Sequence, residues 1–236
     1  MSETTPPLRA LIIQHEEASP PGLVTEWLAH HEAEAEDLRI DVEENEADPS
    51  GYGLVISLGA EYAAFDDHLP QVPREARLLR RAVDADVPVL GLCYGGQMLA
   101  RVLGGTVYRS DEAEIGWLPV RTTDPDLITK GPWFQWHFDA FTMPPGARLI
   151  AESDVGPQAF VAGRSLGLQF HPEVTPEIMD DWVRVYRHEL DAEGVDPDVI
   201  LSDTARMAGS NRRSAWQLLE RFFDSVARIR EEAARP

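Results

Sequence analysis

Residues 88–97 read Pro-Val-Leu-Gly-Leu-Cys-Tyr-Gly-Gly-Gln, and no other stretch restricts the fold of this chain as tightly. An apolar run leads into Gly91-Leu-Cys93-Tyr-Gly95, and Met98, Leu99, Val102 and Leu103 continue at helical spacing up to Gly104-Gly105. A strand therefore ends in a sharp turn and continues as a helix, the nucleophile-elbow arrangement with a thiol in the place of a hydroxyl. Side chains at the flanking glycines would clash in so tight a turn. The turn exposes Cys93, and the positive end of the following helix favours its thiolate. A lone cysteine in an apolar segment is more often a small buried hydrophobe. The paired glycines and the strand-to-helix change weigh against that reading, and they require a base elsewhere in the chain.

The rest of the sequence supplies a parallel sheet for the elbow. Leu8–Ile13, Leu54–Leu58 and Val87–Leu92 are short apolar runs suited to buried strands, with Arg39–Val42 as a further candidate. Between them, Leu23, Val24, Trp27 and Leu28 recur at helical spacing, as do Ala76, Leu79, Ala82 and Val83 after Pro73. The acidic run from Glu32 to Asp37 is assigned to a solvated face on or beyond the first helix. Strands alternating with helices give βαβ units and a parallel sheet covered on both faces, where ligands gather at the carboxyl ends of strands. Gly59-Ala60 and Cys93 fall at such ends.

From Thr106 to about Gln169 the pattern changes to short strands and turns, with Trp117–Val120, Arg148–Ala151 and Ala159–Val161 read as an antiparallel addition. Ser165–Phe170 then forms a strand that delivers His171-Pro172-Glu173. Thr175 caps a helix with Pro176 at its first position and Ile178, Met179, Trp182, Tyr186 and Leu190 on its apolar face. After a linker from Asp191 to about Asp198, the last helix carries a stripe of Ala215, Leu218, Leu219, Phe222, Phe223, Val226 and Ile229. The expected fold is α/β: a mostly parallel sheet with helices on both faces, a small antiparallel addition and a C-terminal helical tail. Residues 1–190 are expected to form the domain, and residues 191–236 a helical extension packed on it.

Composition narrows the function. The 236 residues carry 41 acidic against 21 basic side chains, a formal charge of −20 that repels a phosphate backbone, so nucleic acid is not an expected partner. No apolar run is long enough to span a bilayer, and the first residues lack the basic and apolar regions of a secretory leader. A single cysteine forms no internal disulfide, which fits a reducing cytoplasm, the expected location. No Walker-type loop and no Gly-x-Gly-x-x-Gly is present, so no nucleotide site is expected. Neither a metal nor a cofactor is expected either.

A nucleophilic thiol needs a base, and the base needs an orienting group. Of seven histidines, His30-His31 reads as a solvated pair, His15 and His68 as loop residues with no partner pattern, and His188 as exposed on a helix. His137 and His171 remain. His171 follows a strand and has the carboxylate of Glu173 two residues on, with Pro172 limiting the backbone between them.

Gly91-Leu-Cys-Tyr-Gly-Gly-Gln97 and Gln169-Phe-His-Pro-Glu173 together resemble the two signature motifs of class I glutamine amidotransferases, in order and in separation. The likeness runs from about Leu8 to about Val174, includes Trp136-His-Phe-Asp139, and is nearest the stand-alone branch similar to the amidotransferase domain of GMP synthase. It implies a Cys93–His171–Glu173 triad. It also implies oxyanion donors in the backbone N–H groups of Tyr94 and of the Gly59-Ala60 turn, and a glutamine site formed by Gly59, Gln97, Trp136, His137 and Phe138. Two motifs depart from the family pattern. Gly59-Ala60-Glu61 stands where Gly-Gly-Pro is usual, and an alanine forced to positive φ would rest the oxyanion loop in a less competent shape. His137-Phe138-Asp139 stands where relatives often have His-Gly-Asp, which narrows or re-aims the pocket. The resemblance implies hydrolysis of glutamine to glutamate and ammonia, the ammonia passing to a partner synthetase. Two alternatives keep the same fold: a γ-glutamyl peptidase or hydrolase acting on a peptide or conjugate, and a non-catalytic regulatory subunit.

Overall fold

The computed structural model describes residues 7–43 and 47–228. In chain order the strands are Arg9–Gln14 (β1), Glu34–Arg39 (β2), Leu54–Ser57 (β3), Val89–Leu92 (β4), Val107–Leu118 (β5), Arg121–Thr122 (β6), Trp133–Phe141 (β7), Arg148–Glu152 (β8), Pro157–Ala162 (β9) and Ser165–Leu168 (β10). The α-helices are Leu23–His30 (α1), Gln71–Asp84 (α2), Tyr94–Val102 (α3), Pro176–Val185 (α4), Arg187–Glu193 (α5) and Pro197–Arg221 (α6), the last running into a π turn at Phe222–Val226.

The main sheet has the order β2-β1-β3-β4-β10-β9-β8-β6. Its first five strands are mutually parallel, and β9, β8 and β6 extend it antiparallel. Side chains of the central strands alternate between two buried layers. Ala10, Ile12, Ile56 and Leu92 face α1 and the end of α6, where Leu218, Leu219 and Phe222 pack. Leu11, Ile13, Val55 and Val89 face α2 and α3. Strands buried on both sides read as continuous apolar runs, which is why β1, β3 and β4 stand out in the sequence. The antiparallel β5 and β7 form a second, two-stranded sheet. It joins the main sheet through a bridge between Phe134 and His171, whose N–H donates to the Phe134 carbonyl at 2.8 Å.

Several boundaries differ from the expectation. The second strand is Glu34–Arg39 rather than Arg39–Val42, so the acidic run lies on an edge strand instead of a helix face. Only Leu38 of β2 is buried, and a solvated edge leaves little apolar signal. β7 was not expected as a strand; buried along almost its whole length, it lacks the alternation that marks a half-exposed one. The helix begun by Thr175, whose side chain accepts from the Ile178 N–H, ends at Val185, and Leu190 belongs to α5. α6 begins at Pro197, inside the expected linker, with Asp196 as its cap. Its stripe from Ala215 to Val226 is buried, and Ile229 lies outside the described residues.

Candidate active site

The parallel strands deliver their carboxyl ends to one rim. β4 runs directly into Cys93, which has φ 51° and ψ −108°, a strained conformation for a residue with a Cβ. The turn is possible because its neighbours lack side chains. A Cβ on Gly91 would lie 2.4 Å from the Gly95 carbonyl oxygen, one on Gly95 2.2 Å from that of Ser57, and one on Gly96 2.2 Å from that of Leu168. α3 is thus seated on the backbones of β3 and β10. The Cys93 N–H donates to Leu168 O at 2.9 Å and that of Gly95 to Leu58 O at 3.0 Å. Tyr94 N–H lies between them at the start of the helix.

β10 leads through Gln169-Phe170 to His171. Its Nδ1 lies 2.7 Å from Glu173 Oε1, and both residues are buried. His171 Nε2 and Glu173 Oε2 have no partner. Burial opposes charge on this imidazole, but the Glu173 carboxylate and the Cys93 thiol outweigh it and raise the His171 pKa to about 10. Glu173 is itself supported from α6: Asn211 Nδ2 donates to the carbonyls of Pro172 at 3.3 Å and Val174 at 2.9 Å.

After β3, Gly59 is pressed against both groups, since a Cβ there would lie 3.1 Å from His171 Cε1 and 3.9 Å from Cys93 Cβ. Among the described residues other than glycine, positive φ occurs only at Glu32, Asp86, Cys93 and Arg228. Ala60 is not among them, so the expected strain in this loop is absent.

β7 closes the other side. The Cys93 Sγ lies 3.8 Å from the Trp136 carbonyl oxygen, and Gln169 Nε2 lies 3.8 Å from the sulfur. Gln97 Nε2 donates to Asp139 O at 3.0 Å and to Gln169 Oε1 at 3.3 Å. His137 turns its ring to Glu114, 3.1 Å from Nε2, and to Asp139 O, 3.1 Å from Nδ1. Phe138 is covered by the Arg109 guanidinium, 4.6 Å from the ring centre. One pocket is lined by Gly59, Ala60, Cys93, Tyr94, Gln97, Trp136, His137, Phe138 and His171. Glu173 stands behind His171 and is not part of the lining. All the site residues expected from the sequence are therefore brought to one place.

A match to the family model described as glutamine amidotransferase class-I spans residues 23–183, well over half of the chain. The chain belongs to the class-I glutamine amidotransferase family. A glutamine amidotransferase structure from Thermotoga maritima superposes with a TM-score of 0.84 at 32% identity, covering 92% of this chain and 99% of that one. One from Methylobacillus flagellatus superposes with a TM-score of 0.85 at 29% identity, covering 94% and 96%. The glutamine-hydrolysing GMP synthase of Thermus thermophilus is 37% identical over 163 residues, which are 61% of this chain and 29% of that protein. That of Vibrio vulnificus is 35% identical over 147 residues, 57% of this chain and 27% of that protein. The chain thus matches less than a third of the length of these GMP synthases. No helix among the described residues is long and apolar enough to cross a membrane.

Other members of the site went unseen in the sequence. Glu16, Arg109, Tyr186 and Glu189 also line the pocket, beside Glu61, which the sequence had already marked. Burial raises the Glu16 carboxyl, against hydrogen bonds from Tyr186 and Ser19 that lower it. Glu189, on α5, accepts from Trp136 Nε1 at 2.7 Å. His15 is no loop residue without a partner. It is buried, with Nε2 2.8 Å from Glu75 Oε2 and Nδ1 3.0 Å from Gly59 O. Nor is His31 simply solvated: it packs on Trp27 and Phe223 and hydrogen-bonds Glu220 at 2.7 Å. The signal for His15 was its position directly after β1, at the same carboxyl rim as Gly59 and Cys93.

Proposed function

We propose that the chain hydrolyses the γ-carboxamide of glutamine through a cysteinyl thioester, releasing glutamate and ammonia. The observation that carries this reading is the buried His171–Glu173 pair, whose unpartnered Nε2 belongs to the same pocket as a thiol on a glycine-built elbow. Cys93 attacks the carboxamide carbon as a thiolate, its proton already held by His171. The oxyanion is held by the N–H groups of Tyr94 and Ala60, each worth about 3–4 kcal/mol because it is fixed before charge develops. The C–N bond breaks as His171 returns the proton to the nitrogen, and ammonia leaves. His171 then takes a proton from water, the hydroxyl adds to the thioester, and the thiol is restored with that proton as glutamate departs. Glu173 keeps the imidazole in the tautomer with Nε2 toward the thiol. Gln97 has its N–H groups engaged within the protein, so it offers Oε1 to the substrate ammonium.

Ammonia is passed to a partner synthetase, a reading supported by the likeness to glutamine-hydrolysing GMP synthases, of which this chain matches less than a third. Residues 191–236 act with the domain rather than apart from it, a reading supported by the Asn211 bonds to the segment that carries Glu173. A second reading, cleavage of a γ-glutamyl peptide or conjugate by the same residues, is favoured by Glu61 and Phe138, which line the pocket at the two departures from the family pattern. Measuring glutamate and ammonia together over a panel of glutamine and γ-glutamyl peptides separates the two. Equal release of both from glutamine, abolished in Cys93→Ala, is expected; glutaminase activity persisting in that variant would overturn the mechanism.

A further inference from the structure

His15 has no place in the thiol chemistry, yet it is buried at the same rim and both its ring nitrogens are engaged. The Gly59 carbonyl can only accept, so Nδ1 carries a hydrogen and donates to it at 3.0 Å. On the other side Nε2 meets Glu75 Oε2 at 2.8 Å, and Glu75 Oε1 accepts from Ser57 Oγ at 2.6 Å. Glu75 comes from α2, and its side chain, like that of His15, is fully buried. The rings of Tyr62 and Tyr94 meet the imidazole edge-on, with centroids 5.9 and 4.6 Å away, and leave it no room to turn. Three elements thus converge to hold one N–H against one carbonyl.

That carbonyl shares a peptide group with the Ala60 N–H. Among the described residues the only cis peptide is Gly131-Pro132, so the Gly59–Ala60 unit is trans and its N–H points opposite to its C=O. A hydrogen bond to the oxygen of an amide also polarises it, which strengthens the N–H as a donor. Resting on the proposed thiol mechanism, we infer that His15, held by Glu75 and Ser57, is a positioning residue that fixes and polarises the Gly59–Ala60 peptide as an oxyanion donor. The clamp takes over the rigidity that a proline after the loop would give, in a chain that has Glu61 at that point.

Two isosteres divide the ring's functions. In His15→Gln the amide nitrogen reaches the place of Nε2, keeping Glu75 and losing Gly59. In His15→Asn it takes the place of Nδ1, keeping Gly59. With glutamine as substrate, His15→Gln is expected to lower kcat about tenfold to a hundredfold, less than outright removal of an oxyanion donor. KM and the rate at which iodoacetamide alkylates Cys93 should stay near wild type, because neither draws on an oxyanion, while the melting temperature falls modestly because the buried Gly59 carbonyl is left unpaired. His15→Asn should recover most of the loss. Glu75→Gln, which keeps the shape of the network without its charge, should lower kcat severalfold with alkylation unchanged, and it serves if the His15 variants do not fold. Equal losses in both His15 variants, in step with melting temperature, would overturn the inference, as would wild-type kcat in His15→Gln or Glu75→Gln. Turnover that is lost in Cys93→Ala but untouched by His15→Gln overturns this inference alone. A wild-type chain that releases no ammonia, and whose Cys93 ignores a glutamine-analogue diazoketone, overturns the thiol mechanism and this inference together.

Discussion

Two buried histidine–carboxylate pairs lie at the carboxyl rim of the sheet, 2.7 Å apart in His171–Glu173 and 2.8 Å apart in His15–Glu75. The difference is in the second nitrogen. His171 Nε2 has no protein partner, whereas His15 Nδ1 is tied to the Gly59 carbonyl. An imidazole with one nitrogen held and the other open can exchange a proton with whatever enters the pocket. One with both nitrogens held is a fixed strut. On the proposed mechanism the same chemical pair serves reaction in one place and geometry in the other, and the number of satisfied ring nitrogens tells them apart.

The comparison can be pressed from the carboxylate side first, where the effect is largest. Glu173→Gln is expected to lower kcat for glutamine by about 10⁴-fold, as when a neutral amide leaves a catalytic imidazole in the wrong tautomer, against the severalfold loss expected of Glu75→Gln. Ammonia-release kinetics on both variants would sharpen the distinction, and equal losses would break it. The next test is stability. Asn211→Ala removes the donor to the Pro172 and Val174 carbonyls. Leaving buried acceptors unpaired costs about 1–3 kcal/mol. Urea unfolding should show this loss, with activity falling as Glu173 loosens while Cys93 alkylation in the folded state persists. The last test lies in pH. The His171 pKa is raised from 6.5 to about 10, so protonated His171 contributes stability in full below pH 6.5 and loses it as pH rises through about 10. The stability gap between wild type and His171→Gln should narrow over that window in denaturant titrations.

The sequence made the parallel half of the fold legible because β1, β3 and β4 are buried on both faces and read as near-continuous apolar runs. The edge strand β2 was hidden by the same logic: its outward Glu34, Glu36 and Asp37 are what solvent allows at an edge, and they resemble a helix face. Cys93, Gly59 and His171 were legible at once as the ends of recognisable strands. Glu75 was not, since it lies mid-helix and meets His15 across 60 positions of sequence, a proximity no local pattern encodes. Asn211 was hidden for the same reason, 37 residues beyond the carbonyl of Val174.

The elbow glycines have a consequence for how such a site changes over time. Gly95 and Gly96 rest on the main chain of Ser57 and Leu168, so the nucleophile's seat is built from atoms common to every residue type. Glu61, Phe138 and Glu189 line the pocket with side chains that take no part in that seat. On the proposed mechanism the chain thereby separates durability from adaptability: the reactive centre rests on main-chain atoms, and the choice of substrate on side chains that can be exchanged one at a time.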